Sequence, residues 1–329
     1  MQKVMRNVLV EKAVSLLENG TVQNVLGWRK GEFDYDITPA VFTSKEDIEA
    51  NFVWNDFCGA NFSKYLVQKT RKLEGKILVF LKPCDTYSFN QLLTEHRFDR
   101  EKVYAVGVQC DGMVDIDKIK EIVGDGISKI ECSEKIQVST IYSDDVISID
   151  AKDVLEGRCA SCKSKKHVAY DELIGDEGEV LESDRFDKVA ELEAMTPDER
   201  FAFWQNELSK CIRCNACRDI CPACTCETCV FNNPKSGVEN KAAANSFEEK
   251  MFHIIRAFHV AGRCTDCGEC SRVCPQNIPL HLLNRKFIKD IDSFYGEYQA
   301  GEEVGSRAPL VNYNLDDIEP HEVFEGGNE

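Results

Sequence analysis

Eleven of the 17 cysteines in this 329-residue chain lie between positions 211 and 274, and eight of those eleven follow one spacing twice. The pattern is C-x2-C-x2-C-x3-C-P: Cys211, Cys214, Cys217 and Cys221 before Pro222, then Cys264, Cys267, Cys270 and Cys274 before Pro275. Two residues between cysteines let the backbone wrap one corner of an iron–sulfur cube, so that three thiolates reach three irons. The fourth cysteine, three residues on, turns away and ligates the other cube. The spacing therefore predicts two [4Fe–4S] clusters, one on Cys211, Cys214, Cys217 and Cys274, the other on Cys264, Cys267, Cys270 and Cys221. Zinc competes for any CxxC pair, but a site made of two separated pairs does not need a third cysteine two residues later, twice over.

The other cysteines carry weaker signals. "KILVFLKPCD" reads as a buried strand running into a turn, and "DTYSFNQLLTEH" as a helix with Asp85 at its N-cap. "EKVYAVGVQCDG" then reads as a second strand and "MVDIDKIKEIV" as a second helix, a βαβ unit with parallel pairing. Cys84 and Cys110 fall just past the carboxyl ends of the two strands, the edge where open α/β sheets build sites. Either cysteine could equally be a small buried hydrophobe. Cys58, Cys132, Cys224, Cys226 and Cys229 have no assigned role. The last three stand close enough to Cys221 to shield a cluster, replace a ligand or join a further site with Cys58 or Cys132, and spacing does not decide. The six histidines show no ligand grouping, and His253 reads as an ordinary helix residue.

Composition narrows the setting. The opening "MQKVMRNVLVEKAVSLLENG" is mixed apolar and charged without a cleavage-site pattern, and an odd cysteine number suits a reduced compartment, so a cytoplasmic protein is expected. The longest apolar run, "ILVFL" at 77–81, predicts no direct membrane insertion. A formal charge of −17 repels nucleic acid.

The elements that must position the cysteines fall into two parts. Residues 1–175 read as an α/β domain, 176–200 as an acidic linker, 201–298 as a mainly α-helical dicluster ferredoxin-like domain, and 299–329 as an extended tail that is mobile or drapes over a partner. In "NSFEEKMFHIIRAFHV", Ser246 and Glu249 have capping-box spacing, and Met251, Ile254, Ile255 and Phe258 share one face. "IPLHLLNRKFIKDIDSFYG" reads as a helix opened by Pro279 and stopped by Gly296.

The doubled motif resembles the bacterial dicluster ferredoxin domain. The 42 residues between Cys221 and Cys264 make it more similar to the α-helical dicluster modules of electron-transfer complexes, and "CPACTC" looks like a signature of sulfhydrogenase and anaerobic sulfite reductase β subunits. In residues 75–176, "LKPCD", "GVQCDG" and "GRCASCKSKKHVAYDELIGD" resemble successive motifs of the β subunits of deazaflavin-reducing hydrogenases and formate dehydrogenases. This second resemblance implies a third [4Fe–4S] cluster on Cys84, Cys110, Cys159 and Cys162. Its alternative is a Cys159–Cys162 pair that binds zinc or stays free. That family's N-terminal cluster motif is missing here, and no GxGxxG follows a strand, which weighs against FAD.

With no catalytic triad, P-loop or carboxylate pair in view, the leading expectation is an iron–sulfur electron-transfer subunit of an anaerobic oxidoreductase complex, partnered by flavoprotein, hydrogenase or heterodisulfide-reductase-like subunits. The alternative is an FAD-containing subunit that itself exchanges hydride with a nicotinamide or deazaflavin. A redox sensor is a third class, disfavoured by the acidic charge and the doubled motif.

Overall fold

The computed structural model describes residues 4–133, 135–232 and 246–312, with the backbone alone at 246–249. The N-terminal half is built on a mixed sheet. Helix α1 (Arg6–Glu18) precedes β1 (Asn24–Lys30) and β2 (Ile37–Phe42), and α2 (Lys45–Asn51) leads into the short β3 (Phe52–Val53). Helix α3 (Ser63–Lys72), β4 (Ile77–Leu81), α4 (Pro83–Thr94) and β5 (Val103–Val108) then form the parallel unit that the sequence predicts. Strand order is β2-β1-β4-β5, with β3 also paired to β1, and the far edge is completed by β9 (Glu172–Ile174), parallel to β5. Every residue of β4 is buried, as expected of a central strand covered on both faces.

Between β5 and β9 the chain forms α5 (Ile116–Val123) and a separate antiparallel sheet of β6 (Ile127–Cys132), β7 (Lys135–Thr140) and β8 (Ile147–Asp150). A single turn, α6 (Gly157–Ala160), carries Cys159. From 187 to 312 the described residues are helical or irregular: α7 (Asp187–Ala194), α8 (Pro197–Ser209), α9 (Ala216–Asp219), α10 (Ser246–Val260), α11 (Glu269–Arg272) and α12 (Leu280–Tyr295). No helix among the described residues is long and apolar enough to cross a membrane.

Several local expectations are revised. Asp85 is not the N-cap of α4 but the third residue inside it, where its Oδ2 accepts from the Lys82 N–H at 3.1 Å. The Lys82 ammonium is itself buried, 3.0 Å from Asp85 and 4.9 Å from the Trp28 ring centre. The expected linker holds α7, whose Val189 and Leu192 pack on Leu282 of α12. On α10 the apolar stripe faces outward: Met251, Ile254 and Phe258 are exposed, while Phe252, Ala257 and Val260 are buried with His253 and Arg256. The polar pair faces inward because it serves the cysteines, as set out below. The capping box at Ser246 and Glu249 lies outside the described side chains. The tail is docked on its own chain as far as residue 312. Gly301, at φ +76°, passes so close to the Tyr87 carbonyl that a Cβ would stand 1.9 Å from it, and Asn90 Nδ2 donates to the Glu302 carbonyl at 3.2 Å.

Candidate metal centres

The two cysteine motifs fold as two copies of one loop. In the first, Arg213 and Asn215 have φ of 54° and 64°; in the second, Asp266 and Gly268 have φ of 59° and 67°. Left-handed residues at matching places curl each loop tightly around its first three cysteines. A short helix follows in each copy, α9 carrying Cys217 and α11 carrying Cys270. The curl also aims backbone N–H groups at sulfur. Arg213 N–H donates to Cys211 Sγ at 3.4 Å, and the N–H groups of Asp266 and Glu269 donate to Cys264 and Cys267. Such bonds stabilise sulfur that carries negative charge, as cluster ligands do.

Cys211, Cys214, Cys217 and Cys274 line one cavity, roofed by Phe252, Ile278 and Leu280. His253 Nε2 lies 3.3 Å from Cys211 Sγ. Burial, with Arg256 and Arg213 nearby, pushes this histidine down to about 3, so it is neutral and its Nε2–H can donate to sulfur. The sequence reading missed this contact, for a helix residue 42 positions away carries no local sign of it. Cys221, Cys264, Cys267 and Cys270 form the second set, each within electrostatic reach of others in it. Asn284 Nδ2 donates to Cys270 Sγ at 3.8 Å. The buried Arg256 guanidinium stands between the sets, bonding to the Cys217 carbonyl at 3.3 Å and facing Cys270, Cys217, Cys221 and Cys224. A buried cation here favours negative charge on the sulfurs around it, which an apolar interior would otherwise reject.

Cys84, Cys110, Cys159 and Cys162 come from separate stretches yet line a single cavity. Cys84 lies in the first turn of α4, Cys110 just past β5, and the other two on and after α6. Lys165 lines the same cavity, within electrostatic reach of all four sulfurs. Met113 N–H donates to Cys159 Sγ at 3.4 Å, and burial pushes the Cys110 thiol up to about 11. Asp266 and Cys267 line the same cavity, so this third set adjoins the second. Arg158 joins them: it donates to the Cys267 carbonyl at 3.0 Å and the Gly59 carbonyl at 2.7 Å, and pairs with Glu269. The second set thus adjoins both of the others.

All 17 cysteines are described, and none is in a disulfide. No three His, Cys or carboxylate side chains among the described residues are placed to hold a single metal ion. Zinc, bonded to sulfur at about 2.3 Å, would need sulfurs within about 4 Å of one another. The four-thiolate donor sets and their N–H···S bonds instead fit [4Fe–4S] groups. Of the unassigned cysteines, Cys58 is fully buried in the sheet core and pushed up to about 12, and Cys132 sits on β6 beside Asp56. Neither lines the cleft where Cys224 and Cys226 lie. Cys224 N–H donates to the Cys221 carbonyl at 3.1 Å, and Cys229 lies beside Arg218.

The doubled loop is also what the comparison with known families finds, over residues 207–278. This segment matches the family described as a 4Fe-4S dicluster domain. Over nearly its whole length the chain is similar to the F420-dependent formate dehydrogenase subunit beta of Methanocaldococcus jannaschii, 23 % identical over 90 % of this chain and 92 % of that protein. It is also similar to the F420-dependent formate dehydrogenase 1 subunit beta of Methanococcus maripaludis, 25 % identical over 66 % of this chain and 71 % of the relative. The expected likeness to formate dehydrogenase β subunits is thereby borne out. A chain of the F420-reducing [NiFe] hydrogenase complex from Methanosarcina barkeri aligns at 16 % identity and TM-score 0.38 over 62 % of this chain and 86 % of that one, too slight a likeness to bear on the fold.

Gly268 of the dicluster domain tests the geometry. A Cβ there would stand 2.6 Å from Arg158 Cβ, at a φ of 67°. Gly268→Ala is therefore expected to destabilise the protein by about 1–3 kcal/mol. It should also lower iron bound at the second set. A denaturation midpoint and an iron assay, each equal to wild type, would refute the claim.

Proposed function

We propose that this chain is the iron–sulfur electron-transfer subunit of a multi-subunit oxidoreductase complex, holding three [4Fe–4S] clusters in one relay. The observation that carries this reading is the convergence of Cys84, Cys110, Cys159 and Cys162 on a cavity that the second set's Cys267 also lines. The kinship of the relatives, both named as subunits of formate dehydrogenases, supports a place among other subunits.

When bound, such clusters supply one-electron transfer at potentials set by hydrogen bonds to sulfur, net charge and burial. The residues of this chain would do the rest. Four thiolates hold each group; backbone N–H groups, His253 and Asn284 supply donors to sulfur. Arg256 and Arg158 place fixed positive charge between successive sites. The burial of Cys110, Cys217, Cys221, Cys267 and Cys270 excludes water.

The F420 dependence in the relatives' names favours a second reading, in which a flavin on this chain trades hydride for single electrons. One measurement separates the two. The chain is purified without oxygen and assayed for iron, sulfide, zinc and flavin. About 12 Fe per chain without flavin is expected, as three cubes of four irons require. About 8 Fe with one flavin would remove the third cluster and favour the second reading. Zinc in place of iron would overturn both.

A further inference from the structure

Between α3 and the loop after Cys221 lies an open cleft of about 520 Å³ that none of the three cysteine sets occupies. Helix α3, "SKYLVQKTRK", has four cations (Lys64, Lys69, Arg71 and Lys72) and no acid, in a chain whose formal charge is −17. The cleft's two acids are compensated: Glu227 by Arg71 at 3.5 Å, and Asp219 by Arg218 at 2.9 Å. Lys64, Lys69 and Lys72 have no ion-pair partner among the described residues, so the patch is positive on an acidic molecule. Across the cleft stand Cys224 and Cys226, the latter exposed. Cys224 is held by Lys64, which donates to its carbonyl, and its own N–H donates to the carbonyl of Cys221 of the second set at 3.1 Å.

We propose that this cleft and the outer face of α3 dock an acidic electron-carrier protein, with Cys224, which lines the cleft and is hydrogen-bonded to Cys221, joining the docked carrier to the second cysteine set. A separate protein fits better than a small anion, because the cleft's cations all stand on one wall, along α3, and Lys72 lies outside the cleft. Lys72, exposed and outside the cleft lining, continues the positive strip along the helix from the exposed Arg71. Charge complementarity of this kind steers encounter and fixes orientation, and salt screens it. The exchange is of one electron: the carrier's reduced centre is oxidised as the centre held by Cys221, Cys264, Cys267 and Cys270 is reduced, and no bond or proton moves. This step rests on the proposed cluster reading; the docking does not.

The test is binding, with no electron flow. Oxidised acidic two-cluster ferredoxin is titrated calorimetrically into the iron-loaded full chain at about 50 mM and about 500 mM salt, which span strong and weak screening. Binding is expected to weaken at least about tenfold at high salt and by a similar factor in the triple variant Lys69→Glu, Arg71→Glu, Lys72→Glu. A matched triple, Lys120→Glu, Lys129→Glu, Lys135→Glu, makes the same change in net charge on α5, β6 and β7, away from the cleft lining, and should alter binding less than about twofold. If the α3 triple loses iron, the single variant Lys72→Glu, at an exposed position, replaces it with an expected weakening of about two- to threefold. Equal effects of both triples, absence of binding, or a small anion that copurifies with the chain and is lost in the α3 triple would each overturn the docking. An iron-free chain that still binds the carrier would sink the cluster reading and leave the docking intact.

Discussion

Cys159→Ser is expected to remove about four of about twelve irons while leaving the other eight in place. Cys159 reaches the third cavity from α6, a single helical turn, and its sulfur there accepts from Met113 N–H. No unassigned sulfur in that cavity could replace it: apart from Cys84, Cys110 and Cys162, its sulfur-bearing neighbour is Cys267, assigned to the second set. A cube deprived of one thiolate in a buried pocket loses a charged ligand whose place water reaches poorly, so assembly fails. Electron paramagnetic resonance of the reduced variant should keep the coupled signal of the dicluster domain. Cys58→Ala is the control, because that thiol is buried in the apolar core of the sheet and its loss should cost stability but no iron. Unchanged iron in Cys159→Ser would refute the third site.

The second large effect concerns the buried ion network around Glu269. Its carboxylate is wholly buried and accepts from Arg272 Nε at 2.7 Å, from Arg272 Nη2 at 2.9 Å, from the Asn61 N–H at 3.2 Å, and from Arg158. Burial alone would raise its pKa, yet Arg272 and Arg158 hold it down to about 2. Arg158→Met removes one partner and leaves a buried charge short of compensation, a loss of about 3–5 kcal/mol. The measurement is anaerobic denaturant unfolding of the iron-loaded protein. The same group sets a pH dependence. Its folded pKa is depressed, so its contribution is complete above the ordinary carboxyl value of 4.5 and is lost as pH falls toward about 2. Glu269→Gln should be less stable at neutral pH and flatter across that acid range. Parallel pH curves for the two proteins would show that Glu269 does not carry the effect.

What could be read in the sequence follows from the range of the forces involved. The doubled cysteine spacing is local chemistry, and the loops, left-handed residues and short helices it demands are all present. The parallel β4–β5 pair and the α12 boundaries were legible from apolar runs, Pro279 and Gly296. The face of α10 was not. Apolar periodicity points Ile254 and Phe258 inward, but the cysteine sets demand His253 and Arg256 on that side. Arg158, Lys165 and Glu269 were equally hidden, because each acts on cysteines brought together only by the tertiary fold. The N-terminal cysteines came from resemblance, and only the folded chain gathers them in one cavity.

The rise in cysteine density after residue 200 suggests a detachable ferredoxin module, yet Glu269 on its second loop is coordinated by Arg158 and Asn61 of the other half, and Lys163 Nζ reaches the Thr265 carbonyl at 3.1 Å. Cut at that boundary, either fragment would expose a charged seam with no partner. For anyone grafting the relay onto another enzyme, the smallest transferable part is therefore the pair of halves together, and the join between them is as much a part of the wiring as the cysteines.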